Sequence, residues 1–147
     1  MSQANWQFDG KLIIPPVCQL SQENPINISF GKVAIRKIDG INFKKDIPYQ
    51  LKCDGDINQP WDVSLKFSGQ LAGNGFDKST LSTRTALNKD KLGIQLQNSG
   101  KPQPLNEYFS INIKSPPELS AVPIKKSGDK LVADNFTATG TLMIDFQ

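Results

Sequence analysis

The chain has 147 residues, 37% of them hydrophobic, and a mean hydropathy of −0.37, which suits one domain with a single core. No apolar run approaches the roughly 20 residues that a membrane-crossing helix needs. The net charge of +3 comes from 17 basic and 14 acidic residues scattered along the chain, and pairs such as Lys44-Lys45 are not interleaved with stacking aromatics, which argues against nucleic-acid binding.

Met1 to Asn5 has neither a basic start nor an apolar stretch, so no signal peptide is expected, and Met1 reads as a start placed on a mature exported chain. From Ala4 the residues alternate. Ala4, Trp6, Phe8, Gly10 and Leu12 share one face of an extended chain, and Asn5, Gln7, Asp9 and Lys11 share the other. The pattern predicts a strand. Burial of its Trp and Phe would contribute roughly 1.5 to 3 kcal/mol each, so this segment is expected to lie against something. Pro15-Pro16 ends regular pairing, because neither residue has a backbone N–H to donate.

Cys18 and Cys53 are the two cysteines, and the chain has no histidine. With no third thiol or imidazole to complete a metal site, a disulfide is the leading reading, and it implies an oxidising compartment. Two reduced core cysteines in a cytosolic protein are the alternative. Closing a loop of this length would stabilise the fold by roughly 4 kcal/mol in the chain-entropy model.

Further along, Ile26, Ile28 and Phe30 alternate, break at Gly31 and continue weakly through Val33 and Ile35 to the turn at Asp39-Gly40. Ile47, Tyr49, Leu51 and Cys53 are in phase, and Asp54-Gly55 closes their strand. Trp61, Val63, Leu65 and Phe67 form the most apolar inward face and are expected to form the centre of the core. Residues 68 to 91 read as long loops with at most a short strand. Leu92, Ile94 and Leu96 make the next strand, and Phe109, Ile111 and Ile113 another, stopped by Pro116-Pro117. A looser piece surrounds Val122 and Ile124, followed by Leu131-Val132. The last twelve residues alternate again: Phe136, Ala138, Gly140, Leu142, Ile144 and Phe146 face one way, with Thr137, Thr139, Thr141 and Asp145 opposite. A core-facing strand in that position has an edge that needs a partner. Eight or so short strands, with no stretch of helical periodicity, predict an antiparallel sandwich.

Catalytic and metal signatures fail on inspection. Asp54-Gly-Asp-Ile-Asn58 begins like a calcium loop, but Gln59 stands where glycine is required and Leu65 where the bidentate Glu belongs. Ser29-Phe-Gly-Lys32 imitates a serine acyl-enzyme motif, yet it ends a predicted strand where the chemistry requires a helix start. Ser-His-Asp and Cys-His sets are impossible without histidine. No enzyme, metal or cofactor is expected.

Together, Trp6-Gln-Phe-Asp-Gly10, Pro15-Pro-Val-Cys18, Cys53 closing a later strand, Leu92-Gly-Ile-Gln-Leu96 and the ending Thr141-Leu-Met-Ile-Asp-Phe-Gln147 resemble a pilin of the bacterial chaperone-usher pathway. The chain is most similar to the minor, adaptor-type subunits of type 1 and P pili. The resemblance implies an immunoglobulin-like antiparallel sandwich lacking its last strand and completed by a donor strand from another subunit. It implies an extension over residues 1–12 and a pilin domain over 13–147. It further implies that Ala4, Trp6, Phe8 and Gly10 are the donor residues, and that Leu142, Ile144, Phe146 and Gln147 form the groove and meet a periplasmic chaperone. Expected partners are neighbouring pilus subunits, the chaperone and an outer-membrane usher, at the bacterial surface. Two positions depart from the family: Phe146 replaces the usual penultimate Tyr, and Val132-Ala-Asp-Asn135 lacks the glycine usually found about fourteen residues from the end. The competing reading is a secreted carbohydrate-binding sandwich whose N-terminal strand closes its own sheet, with Trp61 or Tyr108 as a stacking platform.

Overall fold

A computed structural model describes residues 2–13, 17–20, 30–55, 63–73, 75–126, 128 and 130–146. Its strands in chain order are β1 (Val17–Leu20), β2 (Lys45–Asp46), β3 (Leu51–Asp54), β4 (Val63–Ser68), β5 (Thr80–Ser82), β6 (Leu92–Asn98), β7 (Lys101–Pro102), β8 (Tyr108–Ile111), β9 (Leu119–Lys125) and β10 (Thr141–Phe146). The helical content among these residues is one short 3-10 turn, Ile35–Lys37. Every ladder is antiparallel.

Two main sheets follow the orders β10-β4-β8 and β2-β9-β6-β5, while β1 pairs with β3. Their inner faces meet through the residues that alternation assigns to the core. Val63, Leu65 and Phe67 of β4 are buried, as are Leu92, Ile94 and Leu96 of β6. Phe109 of β8 lies opposite Leu65, and its ring stands 5.9 Å from that of Phe67. Large side chains sit there because a two-layer sandwich has one interior, filled from both sheets.

β9 departs from its sequence reading. What the sequence suggests is a loose piece around Val122 is a seven-residue strand between β2 and β6, with Leu119 to Pro123 buried. Pro123 is tolerated for a specific reason. The Ile47 N–H donates to the Leu119 carbonyl at 2.8 Å, so the odd-numbered residues of β9 turn their backbone groups toward β2. β2 ladders only as far as Ala121, so the N–H that Pro123 lacks would have pointed past its end.

Three other expected strands are shorter than their patterns. The strand expected through Ile47 and Cys53 begins only at Leu51, as β3, because Ile47 to Gln50 carry no strand. Phe30 to Ala34 carries no strand and leads into the 3-10 turn, while residues 21–29 lie outside the described residues. The last strand begins at Thr141 rather than Phe136. Its partner β4 stops at Ser68, after which Gln70 and Ala72 bond to Ser82 and Thr80, so nothing remains for residues 138–140 to ladder with.

Cys18 and Cys53 face each other in the β1–β3 register and are joined by a disulfide, with Cys18 1% exposed.

Candidate functional site: an open sheet edge and an exposed tail

β10 is held on one side. Leu142 lies opposite Phe67 and Ile144 opposite Leu65, and both pack against the core. Its other side has no ladder among the described residues, because β10 ends the sheet and β1, which runs beside it, bonds only to β3. Unsatisfied N–H and C=O groups in a row next to apolar side chains are a template for another strand.

Beside that edge the two sheets part around a groove of about 1090 Å³. Leu81, Leu92 and Ile94 are among the buried residues of its floor, and Leu142 lines it too. One wall is Phe30 to Val33, and the other is the segment from Leu131 to Thr141. Phe30 and Phe136 approach across the space with ring centroids 6.1 Å apart. Of the residues expected to form the groove, Leu142 lines it, whereas Ile144 packs against the core without lining it. Phe146 pairs with Val63 through its backbone, and Gln147 lies outside the described residues.

Sequence reasoning missed most of the second wall. Between Leu131 and Gly140 there is no strand, and one backbone bridge, Arg84 with Thr137, fixes the middle through hydrogen bonds of 2.6 and 2.9 Å. The rest is held by side chains. Asn88 Nδ2 donates to the Val132 carbonyl at 2.8 Å, and Asn88 Oδ1 accepts from the Val132 N–H at 2.8 Å. Asp134 Oδ2 accepts from the Thr85 hydroxyl at 2.6 Å and from the Leu87 N–H at 2.8 Å. These two bonds, the Thr85 bond foremost, hold the Asp134 carboxyl below its ordinary 3.8. The wall includes Val132 to Asn135, the stretch where this chain lacks the glycine expected from the resemblance.

The tail has the opposite character. Residues 2–13 form no strand within this chain, so the self-closed sheet of the competing reading is not seen. Trp6 is 79% exposed and Phe8 84%, with Ala4 and Gly10 exposed as well. The Trp6 and Phe8 rings touch only each other among resolved ring pairs, at 6.2 Å between centroids. A tail with this alternation cannot bury its aromatic face alone.

The sugar-platform reading loses ground on the same geometry. The tail does not close the sheet in cis, and the Tyr108 ring is covered by the Lys66 ammonium, 4.6 Å from its centroid. Trp61 lies outside the described residues.

The fold is an antiparallel, immunoglobulin-like sandwich, the fold shared by pilus subunits. The chain belongs to the fimbrial protein family, whose model matches residues 6–147. It is 33% identical over 144 residues to the uncharacterised fimbrial-like protein YfcQ of Escherichia coli K12, covering 95% of this chain and 85% of that one. In fold it is similar to the P pilus rod subunit PapA, with a TM-score of 0.64 and 19% identity over 97% of this chain and all of that one. It is also similar to the P pilus adaptor subunit PapF, with a TM-score of 0.60 and 20% identity over 92% of this chain and 98% of that one. The protein is therefore a structural protein of a surface fimbrium and not an enzyme.

Proposed function

We propose that this chain is a pilus subunit that polymerises by donor-strand complementation, lending its own tail to one neighbour and receiving a strand from another. The observation that carries the proposal is the coexistence of a vacant strand edge above an apolar groove and an exposed, alternating tail in the same molecule. Residues 1–12 are the donor extension, with Ala4, Trp6, Phe8 and Gly10 as its inserted face, and residues 13–147 are the acceptor body. An extended run from Ala4 to Leu12 reaches about 30 Å, longer than β10 itself, so it can span the groove. Before assembly the same edge is covered by a periplasmic chaperone that meets Leu142, Ile144 and Phe146 and grips Gln147, and an outer-membrane usher passes the subunit to the surface. The short extension and the short chain favour a minor, adaptor-type place near the tip.

The test is linkage. Expressed in a periplasm with the other subunits of its pilus, the intact chain should form linked oligomers that survive detergent without heating. Trp6→Asp with Phe8→Asp should remove the link to the subunit that receives the tail, while the variant's own groove still accepts a strand. A stable monomer whose melting temperature falls when residues 2–10 are deleted would instead place the tail in its own sheet and restore the self-closed sandwich.

A further inference from the structure

The turn Asp39-Gly-Ile-Asn-Phe43, which leads into β2, holds one apolar side chain away from the core. Ile38 just before it is 6% exposed, whereas Ile41 at its apex is 76% exposed. The Asp39 carboxylate fixes this arrangement. Its Oδ1 accepts from the Ile41 and Asn42 N–H groups at 2.9 and 2.8 Å, and its Oδ2 accepts from Asn42 Nδ2 at 2.8 Å. Gly40 lies at φ 80°, and Phe43, a bulky residue that rarely adopts a left-handed backbone, lies at φ 69°. Such strain persists only where the surrounding structure over-determines it, and it clusters at functional segments.

Cations surround the apex. Arg36, Lys37, Lys44 and Lys45 flank it in the same segment, and all are exposed. β9 adds another: a Cβ on Gly40 would stand 3.6 Å from Ile124 Cγ2, which brings the exposed Lys125 to the same end of the sheet. Two carboxylates belong to the segment. Asp39 is committed to the turn, and Asp46 points along the sheet the other way, opposite Ser120. No ion pair neutralises these cations among the described residues. An apolar side chain held at the tip of a cationic loop matches the boundary of an anionic bilayer, where phosphates lie above hydrocarbon. A soluble polyanion would answer the charge but leave Ile41 in water.

We propose that the loop from Arg36 to Lys45 is a docking surface for an anionic phospholipid bilayer, with Ile41 entering the boundary between headgroups and acyl chains. Arg36, Lys37, Lys44, Lys45 and Lys125 take the phosphates. Because the turn is fixed in advance, docking costs little ordering entropy. The inference goes beyond fibre assembly and uses neither the strand edge nor the tail. It gives a fimbrial subunit a hold on a membrane surface that is separate from its links to other subunits.

The experiment uses the full chain carrying Trp6→Asp and Phe8→Asp, so that the tail rings neither link copies nor enter lipid. The probe is vesicles of phosphatidylglycerol and phosphatidylcholine in equal parts, beside vesicles of phosphatidylcholine alone, and co-sedimentation reads binding. The chain should bind the anionic vesicles and not the neutral ones, and less tightly as salt rises. Lys44→Gln with Lys45→Gln should weaken binding about thirtyfold, and Ile41→Asn about tenfold. Ile41 is exposed, so its variant should melt with the parent. Should the double lysine variant fail to fold, Arg36→Gln with Lys37→Gln tests the same ring of cations and should weaken binding by a similar factor. Absence of binding, equal binding to both kinds of vesicle, or binding that none of these variants changes overturns the proposal. So does binding that the cations alone control and that heparin abolishes, because such a surface takes a soluble polyanion and not a bilayer.

Discussion

The N-terminal tail and the terminal strand β10 carry the same alternation of apolar and polar residues and have opposite surroundings. In β10, Leu142 and Ile144 lie over Phe67 and Leu65, and the backbone is laddered to β4 on one side. In the tail the equivalent face, led by Trp6 and Phe8, stands in solvent with no ladder at all. Alternation thus specifies which side chains will share a buried face but not which chain supplies the surface they are buried against. A strand exists only where a second backbone satisfies its N–H and C=O groups. β10 has such a partner on one side in cis, and the tail has none on either.

This contrast can be broken or sharpened from the β10 side first. Leu65 is 0% exposed and supports Ile144 from directly opposite, so Leu65→Ala should cost about 3 kcal/mol, combining lost transfer energy with a residual cavity. Chemical denaturation measures it, and a cost near zero would mean that β10 is not packed as described. A smaller effect is expected from the wall beside β10. The Asp134 carboxyl titrates below its ordinary 3.8 in the folded chain, so the stability it contributes is complete above that value and lost as pH falls through the lower folded one. Melting curves of the parent and Asp134→Asn should therefore be separated near neutral pH and converge as pH falls below the ordinary carboxylate value of 3.8. Curves that stay parallel into acid would remove Asp134 from the attachment of the wall. The smallest effect belongs to the tail. Trp6→Ala with Phe8→Ala should leave the unfolding free energy of the unlinked chain within about 0.5 kcal/mol of the parent, as for other exposed positions. A clear drop would show that the tail is buried within its own chain and would end the contrast.

Period-two patterns locate β4, β6 and β8 from residues such as Leu65, Ile94 and Phe109, because each of these strands has a core on one side. The cysteine pair is found by elimination, since no other residue offers either sulfur a different chemistry. β9 is obscured because Pro123 signals a break, and its acceptability depends on where β2 ends, a fact about another strand. The start of β10 is misplaced for a similar reason: Phe136 and Ala138 keep the alternation, but β4 has already turned toward β5. The groove wall is the least visible part. Asn88 and Val132 are 44 positions apart, and a side chain that bonds to a distant backbone leaves no periodicity behind. A polar residue in a loop looks the same whether it faces water or fixes a wall.

The disulfide gives the molecule a mechanical property. Between the tail and the body stands Cys18, which is bonded across the register to Cys53 in the neighbouring strand. Tension applied through residues 2–13 reaches this covalent junction before it reaches the rest of β1. From there it is shared between two strands at once. The hydrogen bonds of Gln19 and Leu20 to β3 therefore lie behind the junction and cannot be unzipped one by one from the pulled end. Reduction of the single bond would turn a load borne by two strands into one that peels β1 from its outer end, converting a strong attachment into a weak one.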